Sequence, residues 1–171
     1  MSRSRSATKT SQATAGTLQI GQSAPRFRLD SSTGKPIGLD DLLGKKMVVI
    51  YFYPRADTPG CTTKACGFRD AIDEYDKAGV AVLGISPDSI QDVTRFAQKY
   101  RLNFPLLADP EHKVAEQYGV WREKSLYGRK YWGVARTTFV VDRHGKVVQV
   151  FQNVKPAGHE QQVLDWIRSH K

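Results

Sequence analysis

Residues 47–61 decide the fold, and they read MVVIYFYPRADTPGC. The run from 47 to 53 is apolar and rich in β-branched and aromatic side chains, which predicts a buried β-strand. Pro54 ends this strand, because proline has no N–H to give to a sheet. Beyond Pro59, apolar side chains recur at helical spacing, at Ala65, Phe68, Ile72 and Tyr75. The stretch therefore predicts a core strand, a short loop and a helix that begins close to Cys61.

Cys61 falls at the start of this predicted helix, where the backbone changes the chemistry of a thiol. The first N–H groups of a helix have no partner within the helix, and the helix dipole adds partial positive charge at the same end. Both effects favour an anion, and a thiolate is such an anion. The sequence thus indicates a cysteine that can act as a nucleophile.

The same residues resemble those of a known family. From Pro54 to Cys61, a threonine lies four residues after a proline and a cysteine three residues after that threonine, which resembles the peroxiredoxin signature. The second cysteine, Cys66, is similar to that of the Q-type branch, also called the bacterioferritin co-migratory protein group. The likeness runs from about Leu18 to the C-terminus and is also carried by residues 84–89, 103–109, 118–121 and 136–142.

The remaining elements can be predicted from the pattern of apolar residues. We expect a short hairpin within 27–39, a strand at 80–86, a helix over 89–100, a strand at 104–108, a helix at 113–118, a loop at 121–135, a hairpin at 138–141 and 146–151, and a closing helix at 158–169. Alternating strands and helices favour an α/β sheet with helices on both faces.

The fold that the family resemblance implies agrees with this order of strands and helices. It implies a thioredoxin-like fold with a central mixed sheet, formed by one domain at 17–171. Residues 1–16 are rich in Ser, Thr and basic side chains without apolar periodicity, so we expect a disordered tail there. The resemblance also implies a monomer.

The resemblance further implies a thiol peroxidase that reduces hydrogen peroxide and organic hydroperoxides in antioxidant defence and redox homeostasis. Cys61 is the expected nucleophile, which becomes a sulfenic acid. Arg136 matches the catalytic arginine of the family, and Thr58 is expected to place a hydroxyl at the attacked oxygen. Pro54 is expected to shield the thiolate from water. None of these roles requires a metal ion or an organic cofactor.

Cys66 is expected to resolve the sulfenic acid as a disulfide. Residues five apart on an ideal helix have Cα atoms roughly 8 to 9 Å apart, beyond the about 7 Å that a disulfide tolerates. We therefore expect the first helical turns to unwind after Cys61 is oxidised, so that Cys66 can attack. An inert Cys66 is the alternative. The disulfide would need an external dithiol, and the resemblance implies thioredoxin or a glutaredoxin-like donor.

Composition argues against several other classes of function. The chain has 171 residues and a net charge of +9, but its basic residues are dispersed among 17 acidic ones, so no specific nucleic-acid site is expected. No apolar run approaches the roughly 20 residues of a membrane-spanning helix. The N-terminal residues also lack the apolar stretch of a secretory signal. We expect a cytoplasmic protein, with an organellar location as the alternative if the tail is a targeting peptide.

Two further functions stay open at the level of sequence. A thioredoxin-type dithiol oxidoreductase would use Cys-x-x-Cys, whereas four residues separate Cys61 from Cys66. A redox sensor or holdase would use the same cysteine without turnover. Zinc is not expected, because no cysteine or histidine pairs follow at ligand spacing. The histidines are expected at the surface or in turns: His112, His144, His159 and His170.

Three residues near the predicted site have two interpretations each. Asp57 precedes Thr58, so its carboxylate either tempers the thiolate or points to solvent. Tyr131 and Trp132 lie in the predicted loop at 121–135. They either shape an apolar entrance that favours organic hydroperoxides or pack within the loop.

Overall fold

Residues 16–170 are described by the computed structural model. In chain order the elements are β1 (Arg28–Leu29), β2 (Ile37–Gly38), a 3-10 turn (Leu39–Asp41), β3 (Met47–Phe52), α1 (Pro59–Lys77), β4 (Val80–Ser86), α2 (Ile90–Lys99), β5 (Leu106–Ala108), α3 (Lys113–Gln117), β6 (Trp121–Leu126), β7 (Arg129–Val134), β8 (Thr137–Val141), β9 (Val147–Gln152) and α4 (His159–Ser169). Apart from Gly16, the expected tail lies outside the described residues, and the domain limits stay a prediction. Within 16–170, no helix has both the length and the apolar character needed to cross a membrane.

A five-stranded sheet forms the centre of the fold, in the order β5-β4-β3-β8-β9. β3 pairs in parallel with β4 and antiparallel with β8, so the sheet is mixed. Every residue of β3 after Met47 is buried, as the uninterrupted apolar run predicts for a strand covered on both faces. The carboxyl end of β3 leads into the loop before α1, which places the start of α1 at one end of the sheet.

Successive side chains of β3 enter two different hydrophobic cores. Val49 and Tyr51 pack on the face that α1, α2 and α4 cover. Ile50 and Phe52 pack on the opposite face, with side chains of the 3-10 turn and α3. Helices thus lie on both faces of a mixed sheet, which confirms the predicted α/β, thioredoxin-like fold class.

The predicted loop at 121–135 is wrong, because this segment is a β-hairpin. β6 and β7 pair antiparallel along their whole length. Tyr127 and Gly128 connect them with φ values of 53° and 79°, the left-handed pair that a type I′ turn needs. The prediction failed because such turns usually contain Asn-Gly or Asp-Gly, and because most of β7 is exposed, which removes the apolar alternation of a half-buried strand.

Residues 21–32 pass along both edges of the central sheet, and we call them the N-terminal strap. Beside β5, the Ser32 N–H donates to the Leu106 carbonyl at 2.8 Å. Beside β9, the Gly21 N–H donates to the Val147 carbonyl at 2.8 Å. The strap therefore satisfies backbone groups that would otherwise be open at the two outer strands.

His159 departs from the surface position predicted for the histidines. It is the first residue of α4 and is 1% exposed. Its Nε2 lies 2.8 Å from the Thr138 hydroxyl, and its Nδ1 lies 2.9 Å from the Gln162 side-chain oxygen. Burial lowers the pKa of His159 to about 4. The prediction failed because Thr138 reaches His159 from β8, a partner that spacing along the chain does not reveal.

Candidate active site

Cys61 lies at the strand-to-helix junction that the sequence predicted. Thr58, the residue before α1, has an extended backbone with φ −95° and ψ 156°, and Pro59 is the first helical residue. Proline fits this position, because the first N–H of a helix has no partner to lose. Cys61 is therefore in the first turn, 1% exposed, at the positive end of the helix dipole.

Thr58 holds the loop in front of Cys61. Its carbonyl accepts from the Thr62 N–H at 2.8 Å, which starts the hydrogen bonding of α1. Its hydroxyl donates to the Arg55 carbonyl at 3.1 Å and makes no capping bond to α1. The oxygen of the hydroxyl keeps lone pairs that can accept from a ligand. Pro54 is partly buried in the same loop, where β3 ends.

Arg136 reaches the site from the start of β8. Phe52 at the end of β3 pairs with Thr137, so the residue before β8 lies beside the loop that follows β3. A Cβ atom placed on Gly60 would lie 3.6 Å from a terminal nitrogen of the Arg136 guanidinium. The guanidinium is thus packed against the first turn of α1. Its Nε is buried, and no group in residues 16–170 accepts a hydrogen bond from it.

Lys64 is a further buried residue of α1 near Cys61, and no role was predicted for it from the sequence. It is 1% exposed, and its Nζ lies 5.0 Å from the centre of the Tyr51 ring. Neither this Nζ nor the buried Tyr51 hydroxyl has a hydrogen-bond partner among the described residues. Burial lowers the pKa of Lys64 to about 8, while Cys61 opposes this shift and Arg136 adds to it. The ammonium is therefore part of one electrostatic cluster with Cys61 and Arg136.

Both cysteines carry free thiols, with Cys61 buried and Cys66 partly exposed. α1 is continuous between them, so the helix holds their Cα atoms about 8 to 9 Å apart. At this separation the two sulfurs cannot bond.

Tyr51 lies close to both cysteines. Burial raises the pKa of Tyr51 well above its usual value, and charge on Tyr53, Cys61 or Cys66 raises it further.

Asp57 is paired with the end of α2. Its carboxylate accepts from Lys99 Nζ and from the Tyr100 hydroxyl, both at 2.8 Å. These bonds hold the pKa of Asp57 below its usual range. The carboxylate is partly exposed, but Lys99 balances its charge, so it is neither fully solvated nor an unpaired charge beside the thiolate.

The β6–β7 hairpin joins the site through Lys124. Burial lowers the pKa of Lys124, with Arg136 adding to the shift and Cys61 opposing it. Tyr131 pairs with Lys124 across the hairpin, whereas Trp132 stacks on Trp121 on the opposite face. Tyr131 and Trp132 are 46% and 59% exposed and lie in β7, so the interpretation that they belong to a packed loop is wrong, although Trp132 does pack against Trp121.

Some of the residues that the sequence analysis missed left a signal. Positions 61, 64, 65, 68 and 75 share one face of a helix, so a lysine at 64 interrupts an otherwise apolar stripe. Tyr51 left no such signal, because its role depends on neighbours from other elements. Lys124 left no such signal either, because its proximity to Arg136 depends on where the β6–β7 hairpin lies in the fold. Metal ligands are not gathered here: residues 16–170 hold no group of three or more His, Cys, Asp or Glu side chains suited to a metal ion.

Comparison with known proteins agrees with this geometry. Residues 20–150 match the AhpC/TSA family. Over 153 residues the chain is 48% identical to peroxiredoxin Bcp of Escherichia coli, an alignment that covers 90% of this chain and 97% of the relative.

Two solved structures have the same fold. The bacterioferritin comigratory protein of Xanthomonas campestris superposes with a TM-score of 0.80 at 37% identity, covering 84% of this chain and 91% of the other. Peroxidoxin BcpB of Mycobacterium tuberculosis gives a TM-score of 0.80 at 37% identity, covering 90% and 99%. The chain belongs to the AhpC/TSA family, among its Bcp/PrxQ peroxiredoxins, and is a thiol peroxidase.

Proposed function

We propose that the chain reduces hydrogen peroxide and organic hydroperoxides by a two-cysteine cycle that starts at Cys61. The Cys61 thiolate attacks one peroxide oxygen, and the O–O bond breaks. Sulfur becomes a sulfenic acid, while the leaving oxygen takes a proton and departs as water or alcohol. The observation that carries this proposal is the position of Cys61, which is buried in the first turn of α1 next to the residue that Arg136 contacts.

Three further residues prepare the attack. Arg136 donates to the peroxide and stabilises negative charge on the leaving oxygen, and its buried, unpartnered Nε supports this role. The Thr58 hydroxyl accepts the O–H of the peroxide while it donates to Arg55. Pro54, partly buried at the end of β3, shields the thiolate from water.

Cys66 then closes the cycle. After the first turns of α1 open, the Cys66 sulfur attacks Cys61, a disulfide forms and the sulfenic oxygen leaves as water. The partial exposure of Cys66 supports this step, because an external dithiol must reach the disulfide. We assign that role to thioredoxin or to a glutaredoxin-like protein.

The proposal also covers the substrates of the enzyme, its oligomeric state and its location in the cell. Organic hydroperoxides are included because the Xanthomonas campestris relative is described by its alkyl peroxide reduction activity. Tyr131, exposed on the hairpin face that carries Lys124, offers apolar surface for such substrates. We further propose a monomer that acts in antioxidant defence in the cytoplasm, or in an organelle if the N-terminal residues are a targeting peptide.

NADPH consumption with thioredoxin, thioredoxin reductase and hydroperoxide tests the cycle. We expect steady turnover by the wild type and none by Cys61→Ser. Cys66→Ser should consume peroxide once and then stop. Lys77→Gln, at the exposed end of α1, is the control variant and should match the wild type.

Two results would contradict parts of the proposal. Full turnover by Cys66→Ser would mean that an outside thiol resolves the sulfenic acid directly. A wild type that consumes peroxide once without cycling on thioredoxin would mean that thioredoxin does not reduce this enzyme. Cumene hydroperoxide in place of hydrogen peroxide measures the preference for organic substrates in the same assay.

A further inference from the structure

Lys64 lies between the two cysteines on the inner face of α1. It is 1% exposed, and its Nζ has no hydrogen-bond partner in the part of the chain that the structure describes. An ammonium without partners is unstable in a protein core unless a nearby charge compensates it or it loses its proton. Burial lowers the pKa of Lys64 only to about 8, so the side chain keeps its proton at pH 7 and its surroundings must supply the compensation.

Four groups act on the Lys64 ammonium or respond to it. The face of the Tyr51 ring lies 5.0 Å away and attracts it. Arg136 repels it, whereas Cys61 favours it. Burial lowers the pKa of His159 to about 4, and Lys64 adds to this shift, so His159 stays neutral at pH 7. Of these four groups, Cys61 is the one that can balance the ammonium with a negative charge.

We propose that Lys64 couples the oxidation of Cys61 to the opening of the first turns of α1. In the reduced enzyme the thiolate and the ammonium balance each other inside the core. Attack on the peroxide forms an S–O bond and breaks the O–O bond, and a proton from solvent goes to the leaving oxygen. The sulfenic acid is uncharged, so Lys64 then faces Arg136 without an anion.

Opening α1 removes this imbalance, because it carries the Lys64 ammonium into water. Lys64 is on the segment between Cys61 and Cys66, so the unwinding that solvates it also lets Cys66 reach the oxidised sulfur. Disulfide formation then releases water. Lys64 acts as a positioning residue for this second step, an inference that rests on the proposed two-cysteine cycle.

Lys64→Met tests the coupling, because methionine is an unbranched side chain only one atom shorter than lysine and carries no charge. Lys77→Met is the matched control. It removes the same charge from the same helix, at its exposed end and outside the segment between the two cysteines. Each reduced protein is mixed with one equivalent of hydrogen peroxide. Peroxide loss reports the first step, and quenching followed by mass spectrometry reports the disulfide.

We expect Lys64→Met to form the disulfide about tenfold more slowly than the wild type, and Lys77→Met to form it at the wild-type rate. The sulfenic acid of Lys64→Met should persist long enough for dimedone to trap it. In excess peroxide it should be oxidised further to sulfinic acid. Thermal unfolding of the reduced variants checks that both are folded. Lys64→Met breaks no hydrogen bond in the part of the chain that the structure describes, and Cys61 can take up a proton when the ammonium is removed.

Equal rates of disulfide formation in Lys64→Met and the wild type would overturn the inference. A Lys64→Met variant slowed only in peroxide consumption would also overturn it, since Lys64 would then assist the first step alone. A wild type that consumes peroxide but never forms the disulfide would overturn the proposed cycle together with the inference. The failure of the cycle is therefore distinguishable from the failure of the coupling.

Discussion

Arg136 is the one residue of the predicted site that comes from a distant part of the chain. Its guanidinium packs against Gly60, and its planar fork can donate to a peroxide in a way that a lysine cannot. We expect Arg136→Lys to lower the second-order rate constant for peroxide by about 100-fold, as for the loss of one aligned donor in other enzymes. Stopped-flow fluorescence with hydrogen peroxide measures this constant.

The control for Arg136→Lys is Arg129→Lys, which changes an exposed arginine at the start of β7. This variant should react at the wild-type rate. If both variants lose activity equally, the loss follows from replacing a guanidinium anywhere on the protein and not from the position of Arg136 beside α1.

Thr58 has a hydroxyl that can be tested separately from its backbone. Thr58→Val removes the bond to the Arg55 carbonyl and the acceptor for the peroxide, whereas Thr58→Ser keeps both. We expect the rate constant for peroxide to fall about tenfold or more in Thr58→Val and to stay close to the wild type in Thr58→Ser. Thr63→Val is the control, because its exposed hydroxyl donates to the Pro59 carbonyl in the same region.

At the scale of single residues, the sequence located Cys61 well because its position depends on local signals, a strand followed by a proline and a helix. Arg136 was located by family resemblance alone, since its contact with Gly60 crosses 76 positions of the chain. Lys64 was missed although it lies on the apolar stripe of α1, because lysine usually belongs on the exposed face of a helix. The catalytic roles of the predicted residues stay predictions.

Among the secondary-structure elements, α1 must be stable when reduced and yet able to open. Gly67 lies directly after Cys66 and lowers the stability of the helix there, because glycine is about 1 kcal/mol less favourable than alanine in a helix. A Cβ at this position would meet the flexible end of the Glu160 side chain, which can move aside. We therefore expect Gly67→Ala to fold and to form the disulfide about fivefold more slowly than the wild type after oxidation.

Glu160→Ala is the companion variant for this prediction. It removes the side chain that Gly67→Ala would displace and leaves α1 unchanged, so it should form the disulfide at the wild-type rate. The double variant should be as slow as Gly67→Ala. Recovery of the wild-type rate in the double variant would mean that crowding against α4, and not helix stability, caused the effect.

Strands that are buried on both faces could be predicted from the sequence, whereas strands that are mostly exposed could not. β3 and β4 are continuous apolar runs, so each was identified from its own residues. β6 and β7 form a separate two-stranded sheet in which most side chains are partly or fully exposed. Their pairing depends on the Tyr127-Gly128 turn, which has no strong sequence signature.

For the molecule as a whole, His159 links stability to pH. Burial lowers its pKa to about 4, whereas in the unfolded chain a histidine has a pKa near 6.5. The unfolded state therefore binds more protons between these values, and stability falls as the pH drops through that window. We expect this group to lower the free energy of unfolding by about 2 kcal/mol between pH 7 and pH 5.

Urea unfolding of the wild type and His159→Gln at both pH values measures this contribution. Glutamine keeps a group that can bond the Thr138 hydroxyl but does not titrate. The variant should be less stable than the wild type at pH 7, and its stability should depend less on pH. An exposed histidine, changed in His144→Gln, is the control and should keep the full dependence. Equal slopes in all three proteins would contradict the prediction.

The N-terminal strap has a consequence for the order in which the chain is assembled. Its residues leave the ribosome well before their partners, Leu106 and Val147. β3 is also synthesised long before β8, the strand with which it pairs across about 90 positions of the chain. Pairings between such distant segments fold slowly, and at about 5 to 20 residues per second the strap waits several seconds for Val147 to be synthesised. During biosynthesis, the strap and β3 are therefore exposed before the strands that pair with them exist, and this incomplete chain is the stage at which a chaperone would matter most.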